Sequence, residues 1–279
     1  KQAEVKGPFS KSDYKVERKF IEGRDGTLIP VSLVYKRTTF KKNNNPLFVY
    51  GYGSYGNSID AGFSSTRLSL LDRGYIFAIA HIRGGQELGR SWYENGKMFN
   101  KLNTFYDFID VTKGLLKEGF GQEGRVFAGG GSAGGLLMGA VVNMEPTLYK
   151  GIVSNVPFVD VITTMSDPSI PLTTGEYNEW GNPKNKDEFE YMMRYSPYDN
   201  IENLEYPSIL VTAGLWDSQV QYYEPSKYVA KLRDYNTGKN PILFKVNMSA
   251  GHGGVSGRFE SLKEVAMEYA FLIRVDNQL

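Results

Sequence analysis

Cysteine is absent from all 279 residues. That excludes disulfides, thiolate metal ligands and a cysteine nucleophile, and it fits a reducing, cytoplasmic setting. Histidine is nearly as scarce, with only His81 and His252 available for imidazole chemistry. No apolar run exceeds strand length, so the sequence offers no membrane helix. A charge excess is also lacking: 32 Lys plus Arg against 31 Asp plus Glu leave a net charge of +1. There is thus no global field to attract nucleic acid or an anionic membrane. The opening "KQAEVKGPFSKSDYKVERKF" has no basic segment leading into an apolar core, so it is no signal peptide and reads as the interior of a longer chain.

What is present is alternation. Residues 14–21 and 31–35 are β-rich on either side of the turn Arg24-Asp25-Gly26 and predict a hairpin, with Pro30 confined to the start of its second strand. Residues 47–50 and 75–82 are largely apolar, as strands buried on two faces are, with a helix expected over 64–73 between them. Helical spacing recurs over 105–116, 224–235 and 260–273, and further strands are expected over 125–128, 151–156, 208–213 and 242–247. Such an order predicts one α/β domain with a mostly parallel central sheet and helices on both faces. Residues 159–204, aromatic, polar and broken by proline, read as a cap-like insertion over the strand ends, where ligands bind in such sheets.

One stretch, "VFAGGGSAGGLLMG" at 126–139, satisfies both G-x-G-x-x-G, a dinucleotide loop, and G-x-S-x-G, a nucleophile elbow. A dinucleotide loop belongs in the first βα unit, with an acid about 20 residues on at the end of the next strand. Here the loop follows at least four predicted strands, and the nearest acid, Asp160, lies beyond the next strand. No Gly-Lys-Ser/Thr follows for a phosphate loop either.

The elbow reading makes a demand the chain could fail: an acid and then a histidine, each after a later strand. The strand at 208–213 runs into Gly214-Leu215-Trp216-Asp217, and that at 242–247 runs into Met248-Ser249-Ala250-Gly251-His252-Gly253-Gly254. A serine hydroxyl is a weak nucleophile at neutral pH, so His252 must take the Ser132 proton and Asp217 must hold the imidazole. Singly, each has a plainer reading: a turn serine caps, a loop aspartate turns, a histidine packs. The joint order favours chemistry. His81 lies upstream of the elbow and reads as structural. Ala133, first in the helix after Ser132, offers its N–H to an oxyanion.

The stretches "YGYGSYG" (50–56), "HIRGGQELGRSWYENGK" (81–97), "GGSAGG" (130–135), "VPFVDV" (156–161), "TTGEYNEWGNP" (173–183), "YSPYDN" (195–200), "DSQVQYYEP" (217–225) and "GHGGVSGRF" (251–259) together resemble the prolyl oligopeptidase family of serine peptidases, in its oligopeptidase B branch, from about Tyr14 to the C-terminus. The resemblance implies an α/β-hydrolase catalytic domain over 14–279 and a triad of Ser132, Asp217 and His252. It implies Tyr52 as an oxyanion donor beside Ala133, no metal or organic cofactor, and cleavage of short peptides after Arg or Lys. Glu176 matches the family's carboxylate for the substrate cation; Glu179 and Asp60 are the further acidic candidates.

Two departures thin the acidic subsites. Asn178 stands where the family often has a second Glu, and Asp60-Ala61-Gly62 where it often has Asp-x-Asp. Residues 1–13 look like the connector that follows the family's N-terminal β-propeller, for which no repeats precede Lys1. Rival readings are an esterase or a prolyl-type peptidase on the same fold, or a binding module on an inactive one. The acids Asp160, Glu176 and Glu179 in the insertion speak against an apolar acyl pocket, and the intact Ser132, Asp217 and His252 against a module without chemistry.

Overall fold

The computed structural model describes residues 5, 7, 9–257 and 259–277. The expected connector over 1–13 falls partly on residues outside that set. Eight strands form one sheet: β1 (Tyr14–Glu22), β2 (Leu28–Lys36), β3 (Leu47–Tyr50), β4 (Ile76–Ala80), β5 (Val126–Gly131), β6 (Gly151–Asn155), β7 (Ser208–Gly214) and β8 (Ile242–Asn247). Their order is β1-β2-β4-β3-β5-β6-β7-β8. The β1–β2 hairpin is antiparallel, β2 meets β4 antiparallel, and every later neighbour is parallel. This is the α/β-hydrolase fold.

The uniformly apolar central strands are uniform because both faces are covered. Leu47, Val49, Ile76, Ala78, Val126 and Ala128 point into a core shared with helices Leu102–Glu118, Ala133–Met144 and Tyr223–Tyr235. Phe48, Phe77, Phe127 and Val153 point the other way, against helix Glu260–Asp276 and the turn of helix at Leu68–Leu71. Each fully buried Val, Leu, Ile or Phe among them contributes roughly 1.5–3 kcal/mol of burial, the alanines less. Among the described residues no helix is long and apolar enough to cross a membrane.

Two local expectations change, for the helix over 64–73 and for Pro30, and the insertion gains detail. Helix 64–73 contracts to Leu68–Leu71 because Ser64 Oγ bonds Thr66 and the Arg67 N–H, an alternative to helical pairing. The insertion 159–204 has no strand but does have helices, at Val161–Ser166, Tyr177–Trp180 and Lys186–Met193. Pro30 is the third residue of β2, not its first. It stands opposite His81, whose N–H donates to Pro30 O at 2.9 Å. The reciprocal donor that proline lacks is replaced by Trp92, whose indole N–H reaches His81 O at 3.0 Å.

Candidate active site

β5 ends at Gly131 and the next helix starts at Ala133, leaving Ser132 to make the corner at φ 57°, ψ −118°. A side chain disfavours that conformation, which persists only where surroundings impose it. They do so here: Ser132 N–H donates to Asn155 O at 2.8 Å, and Ser132 O accepts from Gly135 at 2.8 Å and Phe158 at 3.1 Å. The glycines are needed for closeness. A Cβ on Gly130 would stand 2.4 Å from Gly134 O, and one on Gly135 2.3 Å from the Pro157 Cβ. Ala133, buried and first in its helix, has no intrahelical acceptor for its N–H.

Asp217 lies just past β7, on a turn that uses its own carboxylate. Oδ1 accepts from the N–H of Gln219 (2.8 Å) and Val220 (2.9 Å). Oδ2 faces His252 Nδ1 at 2.7 Å. A carboxylate donates nothing, so Nδ1 carries the hydrogen and Nε2 is left as the basic nitrogen. The two loops are held together by Trp216 N–H donating to Ala250 O at 3.0 Å, and Gly214 is required there because a Cβ would meet Ala250 O at 2.6 Å.

A cavity of about 360 Å³ has Tyr52, Tyr55, Ser132, Phe158, Thr164 and Glu176 on its walls. Tyr52 is pushed up to about 12, by burial first and then by Tyr50, Glu176 and Glu179, with the Ser132 hydroxyl opposing; it stays a neutral donor. Glu176 Oε2 accepts from the Tyr55 hydroxyl (2.7 Å) and the Trp180 indole N–H (2.6 Å). Among the described residues nothing bonds its Oε1. His252 borders a neighbouring cleft of about 200 Å³ with Asn155, Asn247 and Glu268. Ser132 and His252 make no hydrogen bond to each other among the described residues; such bonds tighten when substrate arrives.

The structure thus brings Asp217 to His252 and gathers Tyr52, Ser132 and Glu176 on one cavity, with Ala133 next to Ser132. Two acidic candidates stand off the cavity wall. Glu179 is buried, with Oε1 accepting from Tyr55 N–H (2.8 Å) and Oε2 from the Tyr93 hydroxyl (2.5 Å), so it braces the wall instead of lining it. Asp60 is exposed on the loop after β3 and is not on the cavity wall. His81 is buried, bonding Ser32 Oγ at 2.8 Å. Tyr55 is the residue the sequence reading missed; its place three residues after Tyr52 in the same turn was the available signal. Among the described residues no three His, Asp or Glu side chains converge as metal ligands would.

Residues 61–278 match the sequence profile of the prolyl oligopeptidase family. The chain belongs to that family. Among curated members, dipeptidyl aminopeptidase BI of Pseudoxanthomonas mexicana is 58% identical over 98% of this chain and 38% of its own length. Protease 2 of Moraxella lacunata is 49% identical over 97% of this chain and 39% of its own. Among solved structures, oligopeptidase B from Leishmania major matches with a TM-score of 0.96 at 50% identity, over 98% of this chain and 38% of that one. Oligopeptidase B from Trypanosoma brucei, in a closed form with covalently bound antipain, gives 0.95 at 47% identity over 97% and 38%. The chain therefore spans under two-fifths of the relatives it matches. Prolyl oligopeptidase family membership places it among serine peptidases by descent.

Proposed function

We propose that this domain hydrolyses short peptides after Arg or Lys, by way of an acyl-enzyme on Ser132. The observation that carries the reading is a single cavity with the Ser132 elbow on one wall and a half-unbonded carboxylate, Glu176, on another. Between them the walls are largely apolar, with Phe158, Met165, Ile170, Leu172 and Val220. An apolar sleeve with an acid in its wall suits the aliphatic stem and cationic head of arginine or lysine.

In this mechanism His252 Nε2 takes the Ser132 Oγ proton as Oγ attacks the scissile carbonyl carbon. The carbonyl oxygen becomes an oxyanion facing the Ala133 N–H and the Tyr52 hydroxyl. Asp217, oriented by two backbone donors, stabilises the imidazolium. His252 then protonates the departing amine, and the ester left on Oγ is hydrolysed by a water whose proton His252 takes and returns to the departing Ser132 Oγ. Each oxyanion donor contributes about 10²–10³ in kcat. The residues before Tyr14 would connect to a β-propeller that admits only short peptides; the greater length of the relatives supports that part of the reading.

The relative named a dipeptidyl aminopeptidase supports a second reading with the same chemistry, release of dipeptides from a free N-terminus. One substrate panel tests both: kcat/KM on peptides ending in Arg, Lys, Pro or Phe before the reporter, each with free and blocked N-termini, with Ser132→Ala as blank. Preference for Arg and Lys irrespective of blocking is the expected result. Strict dependence on a free amine selects the second reading. Preference for Pro, Phe or simple acyl esters overturns the basic specificity, and activity surviving in Ser132→Ala overturns the mechanism.

A further inference from the structure

The turn that presents Tyr52 and Tyr55 has an unfavourable backbone. Gly53 stands at φ 72° and Tyr55 at φ 61°, so two of three consecutive residues are left-handed and one of them carries a large side chain. Such a shape lasts only if something holds it.

Beneath it lies Lys101, 1% exposed. Its ammonium donates to Gly53 O (2.6 Å), Ser54 Oγ (2.9 Å) and Gly96 O (3.2 Å), which uses all three N–H groups. Among the described residues it makes no ion pair. At the far end of the turn Glu179 accepts the Tyr55 N–H. Lys101 Nζ also sits 5.1 Å from the centre of the Trp180 ring, whose N–H bonds Glu176. Burial pulls the ammonium down to about 7, with Glu179 pulling the other way. Burying an unpaired charge is expensive, and an apolar residue of similar length would be cheaper for folding alone. What the ammonium supplies is three bonds in fixed directions.

We infer that Lys101 and Glu179 clamp the Gly53–Tyr55 turn at its two ends, and that Lys101 is thereby a positioning residue for the oxyanion donor Tyr52. The inference rests on the serine mechanism proposed above. Lys101 itself touches no substrate; it acts through the backbone it holds. Glu179, expected from the sequence to bind substrate, becomes the second jaw.

A double-mutant cycle reads this out: Lys101→Met, Tyr52→Phe and the pair together, with kcat and KM measured on Arg and Phe peptides and the folded fraction taken from near-UV circular dichroism. If Lys101 acts through Tyr52, Lys101→Met lowers kcat on the order of 10²-fold on both peptides, as losing an oxyanion donor does. Added to Tyr52→Phe, it then costs under about threefold more. A wild-type kcat per folded molecule, or a loss that multiplies in full in the pair, overturns the clamp and leaves Lys101 as a folding residue. If Lys101→Met does not fold, Ser54→Ala takes its place, with a loss of several-fold expected and full multiplication again overturning. Ser132→Ala run alongside separates the failures. Activity there sinks the mechanism and the clamp together, whereas an inactive Ser132→Ala with multiplying losses sinks the clamp alone.

Discussion

His252 Nδ1 meets Asp217 Oδ2 at 2.7 Å, while the other oxygen, Oδ1, is already taken by the N–H groups of Gln219 and Val220. That division decides what Asp217→Asn will do. The two backbone donors will claim the amide oxygen, so the amide NH2 must face Nδ1 and force the proton onto Nε2, where the base is needed. We expect kcat to fall about 10⁴-fold with KM little changed, as for a triad with the wrong tautomer. Steady-state kinetics on an Arg peptide check it; a loss under tenfold would mean His252 is not oriented by Asp217.

Glu176→Gln tests the cation pocket. The residue is half-buried, so the lower part of the 2–5 kcal/mol range for cutting a charge pair applies. That predicts roughly a 30-fold loss of kcat/KM on Arg peptides, with Phe peptides within threefold. Tyr55→Phe, which removes one of the two donors on Oε2, should shift Arg peptides by less. Equal losses on both peptides would place Glu176 in the wall and not in recognition.

The strands and the elbow were legible because the physics behind them is local. Two-faced burial writes uniform apolar runs such as "IFAIA" at 76–80, and close approach writes glycines around Ser132. That Asp217 meets His252 was legible by chain order at strand ends. The acidic subsites were not, because sequence marks a carboxylate without saying which way its oxygens face. Glu176 and Glu179, three residues apart, end in different places, one on the cavity wall and one bonded behind it to Tyr93. Lys101 was illegible for the same reason: in "FNKLNTF" a lysine reads as solvated, and only the fold puts the Gly53 carbonyl above it.

Trp92 and Pro30 predict a rescue. In an antiparallel pair that exchanges both bonds, His81 O would accept from residue 30; proline has no N–H, and the Trp92 indole serves instead. Trp92→Phe should therefore destabilise the fold by about 1–3 kcal/mol through the orphaned carbonyl, beyond any loss of packing. Adding Pro30→Ala supplies the missing N–H and should recover part of that loss. Denaturant midpoints of the four proteins form the cycle. Losses that simply add would show that the indole bond is incidental.

Glu224 predicts how stability varies with acidity. It is buried, with Oε1 accepting from the N–H of Val159 (2.6 Å) and Asp160 (2.8 Å), and Oε2 accepting from Thr164 (2.7 Å). Burial, the largest effect, lifts it from 4.5 to about 7, with Asp160 adding to the rise and these hydrogen bonds opposing it. The folded state therefore holds this proton more tightly than the unfolded one. Its contribution is complete below pH 4.5 and is lost as pH rises to about 7, a displacement equivalent to roughly 3 kcal/mol. Glu224→Gln keeps an oxygen for the two backbone donors and does not titrate. Its unfolding free energy, followed from pH 4.5 to 7 by denaturant titration, should rise relative to the parent protein as the pH goes up. A constant difference across that window would mean that Glu224 ionises alike in both states, and that the backbone donors alone offset its burial.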